Sequence, residues 1–544
     1  MSAVGLLIFG GTTACTDPKS DTGDSVSIDP IETGDSAGGD SDPVETAEDS
    51  HSGDSVETDV PGTDVDGDGY LSEDDGGTDC DDGNPAVHPD AVERLANGLD
   101  DDCDGLLDTL DAEDASAMFV DLEIGGGAGL AVAGVGDMNG TGVGVYAIGA
   151  PFSEGVGEAG GRVYLFSGQR TGFVELTEAD AVLLGATESE AGKALAGGGD
   201  VNADGYADLL VGGYHGAEGA GITWVVHGPI LGEQVLDNVG VSLVGQSAYD
   251  FSACAVDFAG DVDGDGDDEV LVGAYHATTT THGSYDGAAY LVDPPLSGTL
   301  SLDNAIRIVG ETPGDEAGYA LAGPGDLDGD GLSDVVVGAR YESSAGEYAG
   351  AVYVFLSPLD VAVNASDADA RYLGEVSGGY AGSALSGAGD VDGDGHVDFV
   401  VGSRRYDGVG DSSGAAHLLR GPALSGGSLL DADARLLGEA AGDRAGWAVS
   451  GAGDFNGDGL DDLLVGAPRH SSAGRLGGGA YLVLGPVAPV LELSDSDGKV
   501  VSGADEMLLG VSVAGVGDVD GDQRGDLLIG AERGEVFLVT TGLP

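Results

Sequence analysis

The stretch DLDGDGLSD, residues 326–334, sets Asp326, Asp328, Asp330 and Asp334 into a single turn, with Gly331 at its sharpest point. Carboxylates at its first, third, fifth and ninth positions, with a backbone carbonyl at the seventh, converge on one hard cation. This is the oxygen-only coordination that Ca2+ prefers, in a loop that only glycine lets turn tightly enough. Without a cation the four carboxylates repel one another, so a purely structural role does not account for them.

The stretch recurs. Aligned copies begin at Asp137, Asp200, Asp261, Asp326, Asp390, Asp454 and Asp518, in steps of 63, 61, 65, 64, 64 and 64 residues. So constant a period marks a repeat architecture. In the fourth copy AGYALAGPGD leads into the loop, followed by VVVGAR, a polar stretch, GAVYVFLS and later ARYLGE. Four short apolar runs between Gly-rich turns predict a four-stranded antiparallel sheet, which suits one propeller blade. The seventh copy stops after GEVFLVTTG without a fourth strand, while MFVDLEIG at 118–125 stands spare before the first loop. Taking the missing strand from there closes the ring and removes exposed edges. The expected fold is all-β, a seven-bladed propeller of four-stranded blades over residues 118–544.

Composition narrows the function. The formal charge is −80, with Asp+Glu 98 against Lys+Arg 18. Such a surface repels nucleic acid and anionic lipid, and divalent ions relieve its self-repulsion. Gly 102 without a collagen period fits many short strands and tight turns. Nothing after the N-terminus reads as a membrane span.

Residues 1–15, MSAVGLLIFGGTTAC, resemble a bacterial lipoprotein signal, with Cys15 as the lipidated residue. No Lys or Arg precedes the apolar run and Thr12 replaces the usual Leu, so an ordinary secretory signal is the alternative. Residues 16–60 hold almost no large apolar side chain and read as a disordered, self-repelling acidic tether.

Residues 61–110 form a separate Asp/Cys segment. Asp64, Asp66, Asp68, Ser72 and Asp75 follow calcium-loop spacing, with Tyr70 offering its carbonyl, and Asp100, Asp102, Asp104 and Asp108 repeat it around Cys103. The segment resembles the bacterial metal-binding motif of the DCDD…P…E…NG.DDDCDG type, found in exported proteins. Where many members carry a further Cys this chain has Ala96, which leaves Cys80 and Cys103 as a natural pair. An exported compartment favours a disulfide. The alternatives are thiolate ligation of a soft metal, and an acidic spacer without a specific ion; the many hard carboxylates favour Ca2+.

The pattern AG.A.AG.GD.DGDG..D..VGA, at 317–339, 381–403 and 445–467, resembles the FG-GAP repeat, which builds the seven-bladed propeller of integrin alpha subunits. The resemblance implies calcium loops between the first two strands on a lower face, and ligand contacts from the opposite, upper face. The FG pair is AG here (Ala317, Ala381, Ala445), so an integrin-like heterodimer is not implied.

Five loops keep the full oxygen set: Asp200/Asn202/Asp204/Asp208, Asp261/Asp263/Asp265/Glu269, Asp326/Asp328/Asp330/Asp334, Asp390/Asp392/Asp394/Asp398 and Asp454/Asn456/Asp458/Asp462. A sixth, Asp518/Asp520/Asp522/Asp526, has Gln523 where glycine is expected, at a cost on the order of 1–2 kcal/mol, and is expected to bind more weakly. The first loop has Thr141 and Val145 in place of two carboxylates and is expected to be ion-free. The cofactor expectation is therefore Ca2+ at about six propeller loops, plus one or two sites in the Asp/Cys segment. Every ligand position is filled by protein, which points to a structural rather than catalytic role.

Basic residues are scarce, and many follow the VGA strand directly: His215, His276, Arg340–Tyr341, Arg404–Arg405–Tyr406, Arg469–His470 and Arg533. By the resemblance these begin upper-face loops. There a ring of cations and aromatics can hold an acidic glycan or a partner's carboxylates, or can simply brace the loops. Cys254 aligns with Leu130, Lys193, Tyr319, Ser383, Trp447 and Val511 and is expected as an inert, unpaired thiol. The leading expectation is an exported, bacterial, cell-surface adhesion or recognition module without enzymatic activity, whose partner is a surface glycan or protein and whose membrane contact is a lipid anchor at most. A polysaccharide-acting enzyme or a calcium-dependent matrix protein are the alternatives, although no nucleophile motif is present.

Overall fold

The computed structural model describes residues 64–72, 77–106, 108–122, 125–278, 285–422 and 424–541. The lipidation candidate Cys15, the tether and Asp75 lie outside them. Two compact units divide the described chain, one before and one from Asp90.

In the first unit short polar side chains, rather than a core, hold the backbone. Asp64 accepts the N–H groups of Gly67 (2.6 Å) and Gly69 (3.1 Å), and Tyr70 stacks on His88 with centroids 5.1 Å apart.

The second unit contains the propeller. Seven sheets follow one another, with innermost strands at Ala131–Gly136, Ala194–Gly197, Ser252–Gly260, Ala317–Gly325, Ala381–Gly389, Ala448–Gly453 and Leu509–Gly517. These define blades 1 to 7. In each, the second, third and fourth strands add antiparallel, as in blade 4 with Asp334–Ala339, Ala351–Phe355 and Ala370–Leu373. The expected four strands are present, and a fifth joins them. It pairs parallel with the fourth and belongs in sequence to the next blade: Val363–Asn364 of blade 4 lies on Ile306–Val309 of blade 3.

Ring closure uses the same device twice. Ala117–Val120 pairs antiparallel with Glu535–Val539 as the fourth strand of blade 7. Just before it, Thr109–Asp111 pairs parallel with Gly498–Val501 as the fifth strand of blade 6.

Burial explains the strand composition. Second strands such as DVVVGA, Asp334–Ala339, are buried throughout because both faces meet neighbouring blades. The core is accordingly seven apolar layers, one between each pair of adjacent blades, with blades 7 and 1 sharing theirs through Phe119, Tyr146 and Leu528. The glycine of the VGA motif marks the closest approach. A Cβ on Gly338 would lie 2.3 Å from the carbonyl oxygen of Gly382 in the next blade, and one on Gly530 would lie 2.1 Å from that of Gly129.

Candidate metal loops and the opposite face

The antiparallel order puts every aspartate loop between first and second strands, at one end of the ring. In loop 4, Asp326 accepts the N–H groups of Gly329 (2.6 Å), Asp330 (3.1 Å) and Gly331 (2.8 Å). Asp328 accepts from Asp330, and Asp330 accepts from Leu332. Asp334, the first residue of the second strand, holds the N–H of Leu327 at 2.8 Å. Loops 5, 6 and 7 repeat this around Asp390, Asp392, Asp394 and Asp398, around Asp454, Asn456, Asp458 and Asp462, and around Asp518, Asp520, Asp522 and Asp526.

Loop 2 has the same frame, with one added bond between Asn202 and Asp204. Asp200 accepts the N–H groups of Asp204 (3.1 Å) and Gly205 (2.8 Å), as its counterparts do. Asn202 and Asp204 are exposed, as Asp328 and Asp330 are, and are tied to each other. The side-chain oxygen of Asn202 accepts the backbone N–H of Asp204 at 3.0 Å, and its Nδ2 donates to Asp204 Oδ2, also at 3.0 Å. The physical reason is the amide itself: unlike an aspartate at the third position, it carries a donor that its acidic neighbour can accept. Asn456 and Asp458 make the same bond in loop 6, at 3.0 Å.

The sixth position is left-handed, at φ 95° for Gly331 and 72° for Gln523. The fourth position is left-handed as well (Gly329, φ 82°), a requirement the sequence reading did not separate, and blade 2 meets it with Ala203 at 49°. In blade 1, Asp137 accepts from Thr141 and Gly142, but the ninth position is the buried Val145.

The ninth-position carboxylates are sunk into the sheets. Burial pushes Asp334 up to about 6, Asp398, Asp462 and Asp526 to about 7, and Glu269 to about 8. Asp208 is buried too, with Nδ1 of His227 3.0 Å away. The carboxylates of Asp261, Asp263 and Asp265 bring oxygens within 4.8 Å of one another, and Glu269 Oε1 is buried without a hydrogen-bond partner. An oxygen-only set with a buried, unsatisfied carboxylate oxygen fits a hard divalent cation. Bound there, such an ion neutralises charge that burial otherwise opposes.

The Asp/Cys segment gathers more carboxylates than its spacing indicated. Asp64 and Asp66 converge with Asp82, and Asp66 and Asp68 with Asp79. In the second half Asp100 and Asp102 converge with Glu93, whereas Asp108 accepts the N–H groups of Asn97 and Gly98, and Asp104 accepts from Leu106. Glu93 lay outside the aspartate spacing. Its Oε2 accepts from Asp101 at 2.9 Å, its Oε1 has no hydrogen-bond partner, and burial raises it to about 7. Cys80 and Cys103 are each disulfide-bonded. Cys254 is also in a disulfide, which corrects the expectation of an unpaired thiol; no described cysteine is free.

At the opposite end the scarce cations are largely engaged. Arg340 is 1% exposed; its Nε donates to Glu316 at 2.8 Å, and its guanidinium lies 3.6 Å from the Tyr319 ring centroid and 4.4 Å from that of Tyr341. Arg404 is buried over Trp447 (4.5 Å), and Arg405 lies over Tyr380 (5.2 Å). His470 is buried against Asp443 at 3.0 Å. His215 pairs with Glu190 (3.0 Å), His276 with Glu316 (3.8 Å) and Arg533 with Glu506 (3.4 Å). Tyr406 meets His417 edge-on, and half-buried Arg469 donates its backbone N–H to Asp443.

These residues form an arc rather than a free ring. Phe251, Tyr275, Tyr319, Tyr341, Tyr380 and Trp447 link through ring and guanidinium contacts across blades 3 to 6. Three of its aromatics, Tyr319, Tyr380 and Trp447, flank the AG pairs of blades 4 to 6, directly before or directly after, a signal present in the repeats but masked by the changing residue type. Tyr249, Tyr285 and Tyr348 stand exposed beside the arc.

Among the described residues no helix is long and apolar enough to cross a membrane. The FG-GAP repeat family matches residues 317–355 and 445–482, and the family described as "Putative metal-binding motif" matches residues 79–109. Integrin alpha pat-2 of Caenorhabditis elegans is 30% identical over 229 residues, covering 40% of this chain and 18% of that protein. Integrin alpha-PS2 of Drosophila melanogaster is 30% identical over 217 residues, covering 38% and 14%. Human phosphatidylinositol-glycan-specific phospholipase D is 32% identical over 237 residues, covering 40% and 26%. The chain thus spans less than a fifth of the integrins it matches and about a quarter of the phospholipase. It is a seven-bladed propeller chain carrying FG-GAP repeats, homologous to integrin alpha chains, with a metal-binding motif ahead of the propeller.

Proposed function

We propose that the protein is an exported, calcium-stabilised recognition module without enzymatic activity, acting in adhesion at a bacterial cell surface or after secretion. The observation that carries this reading is the division of the propeller into two ends. Carboxylate loops repeat at one, and aromatic and cationic side chains gather at the other on an acidic body. Ca2+ at about six loops locks the hairpins, and one or two further ions order the Asp/Cys segment. The upper end then presents Tyr341, Arg405, Tyr406 and Arg469 to a glycan or protein ligand, and the charge of −80 argues against nucleic acid.

The test is thermal unfolding of the full chain in millimolar Ca2+ and then in chelator. An ion bound only by the folded state at tenfold its Kd contributes roughly 1.4 kcal/mol per site, so several sites give a large rise in Tm. Equal Tm in both conditions refutes the calcium reading. Loss of glycan or protein capture in an R405A/R469A variant supports the upper end as the ligand surface; unchanged capture moves the ligand elsewhere. An enzymatic reading draws on the phospholipase relative alone, and release of product from phosphatidylinositol-glycan substrates would establish it.

A further inference from the structure

The position facing the buried ninth carboxylate, on the adjoining third strand, differs from blade to blade. In blade 3 the pairing of Val270 with Val292 brings Asp293 beside Glu269. The corresponding residue is His227 in blade 2, Leu356 in blade 4, Arg420 in blade 5 and Leu484 in blade 6. Blade 3 therefore adds an acid where blade 5 adds a base, and Arg420 Nη1 lies 3.4 Å from Asp392 of its own loop.

The contacts give this difference a direction. Carboxylate oxygens of Asp263, Glu269 and Asp293 lie within 4.8 Å of one another. Glu269 is 2% exposed; one oxygen accepts the N–H of Val262 at 2.6 Å, and the other, Oε1, is buried without a partner. A buried carboxylate oxygen left without a donor calls for a cation, and Asp293 reaches that cluster from the solvent side. Asp293 lies outside the nine-residue loop, so the loop pattern does not contain it.

We propose that Asp293 is a fifth carboxylate ligand of the blade 3 cation and makes this loop the tightest divalent-cation site of the ring. The inference rests on the reading of the aspartate loops as calcium sites. Affinity in oxygen sites rises with the number of charged ligands and with rigidity. Glu269, anchored on a buried strand, supplies the rigidity and Asp293 the extra charge.

The test is a Ca2+ competition titration of the full chain against a chromophoric chelator, with bound ions counted by native mass spectrometry. D293N should weaken the tightest class of site by about tenfold or more while leaving the ion count at saturation unchanged. Asp293 is exposed, so its replacement leaves the fold intact, which the melt in chelator verifies. A D293N isotherm that superimposes on the unmodified one, while E269Q weakens the tightest class, overturns the ligand role of Asp293 alone. If E269Q and D263N also leave the isotherm unchanged, the loop holds no ion and the calcium reading falls with the proposal.

Discussion

Replacing Arg340 by alanine should damage the fold rather than a ligand site. The guanidinium is enclosed: Glu316, itself only 7% exposed, accepts from Nε at 2.8 Å, Tyr319 lies 3.6 Å below and Tyr341 4.4 Å away. Removing it leaves the Glu316 carboxylate buried, with the His276 ring at 3.8 Å as its remaining basic neighbour. Breaking one half of a buried ion pair costs about 3–5 kcal/mol, more than the pair contributes relative to apolar groups of the same shape. For a cooperative unit of this length that is a fall in Tm of roughly 3–6 °C. R340M/E316Q, which removes both charges, should recover most of the loss. The measurement is urea unfolding of the three proteins in calcium, with CD as the probe. If R340A lies within about 1 kcal/mol of the unmodified protein, the pair is not buried in solution and Arg340 is available to a ligand after all.

Two further outcomes follow from buried groups. Asp257, on the innermost strand of blade 3, is raised by burial from an ordinary 3.8 to about 8, although Gly323 and Phe258 donate to it. Its folded pKa lies above its unfolded one, so its contribution is fully present below about pH 4 and is lost as pH rises through 8. D257N should match the unmodified protein at pH 4 and exceed it by on the order of 2–4 kcal/mol at pH 8, read from denaturant unfolding at each pH; parallel pH profiles would show that Asp257 is solvated. G338A would bring a Cβ to 2.3 Å from the Gly382 carbonyl of the next blade, and should cost about 1–3 kcal/mol or more by forcing blades 4 and 5 apart; a Tm equal to that of the unmodified protein would mean the seam is loose.

The period of the aspartate loops and the four apolar runs were legible because each depends on residue types within a few positions. The spare strand at 118–125 was legible by subtraction, and Ala117–Val120 does complete blade 7. The fifth strands were not. They are as short as Val363–Asn364, lie in segments that read as polar loops, and are defined by a partner in another blade. Their trace is a recurrent acid after the short turn that follows them: Asp180, Asp369, Asp433 and Asp497 accept the N–H groups of Ser167, Leu356, Arg420 and Leu484 at 2.8–2.9 Å. Part of the acidity is therefore internal wiring rather than ion binding. Spacing also does not show that the amides of Asn202 and Asn456 donate to Asp204 and Asp458, a bond that an aspartate in their place lacks. At the upper end the sequence located Arg340, Arg404 and His470 but not their burial. Tyr319, Trp447 and Asp443 cover them, and they sit in other strands or loops, 21 to 43 residues away.

The double closure also orders the events of folding. Ser116 and Thr540, which meet at 3.0 Å, are 424 residues apart, and Thr109–Asp111 waits for Gly498–Val501. Two segments that leave the ribosome early thus stay unpaired until the last blades arrive, and contacts so distant in sequence form late. A nascent ring is an open arc with two raw edges through nearly the whole of its synthesis. For such a chain, keeping the arc from pairing with a neighbouring copy is as much a requirement as folding any one blade.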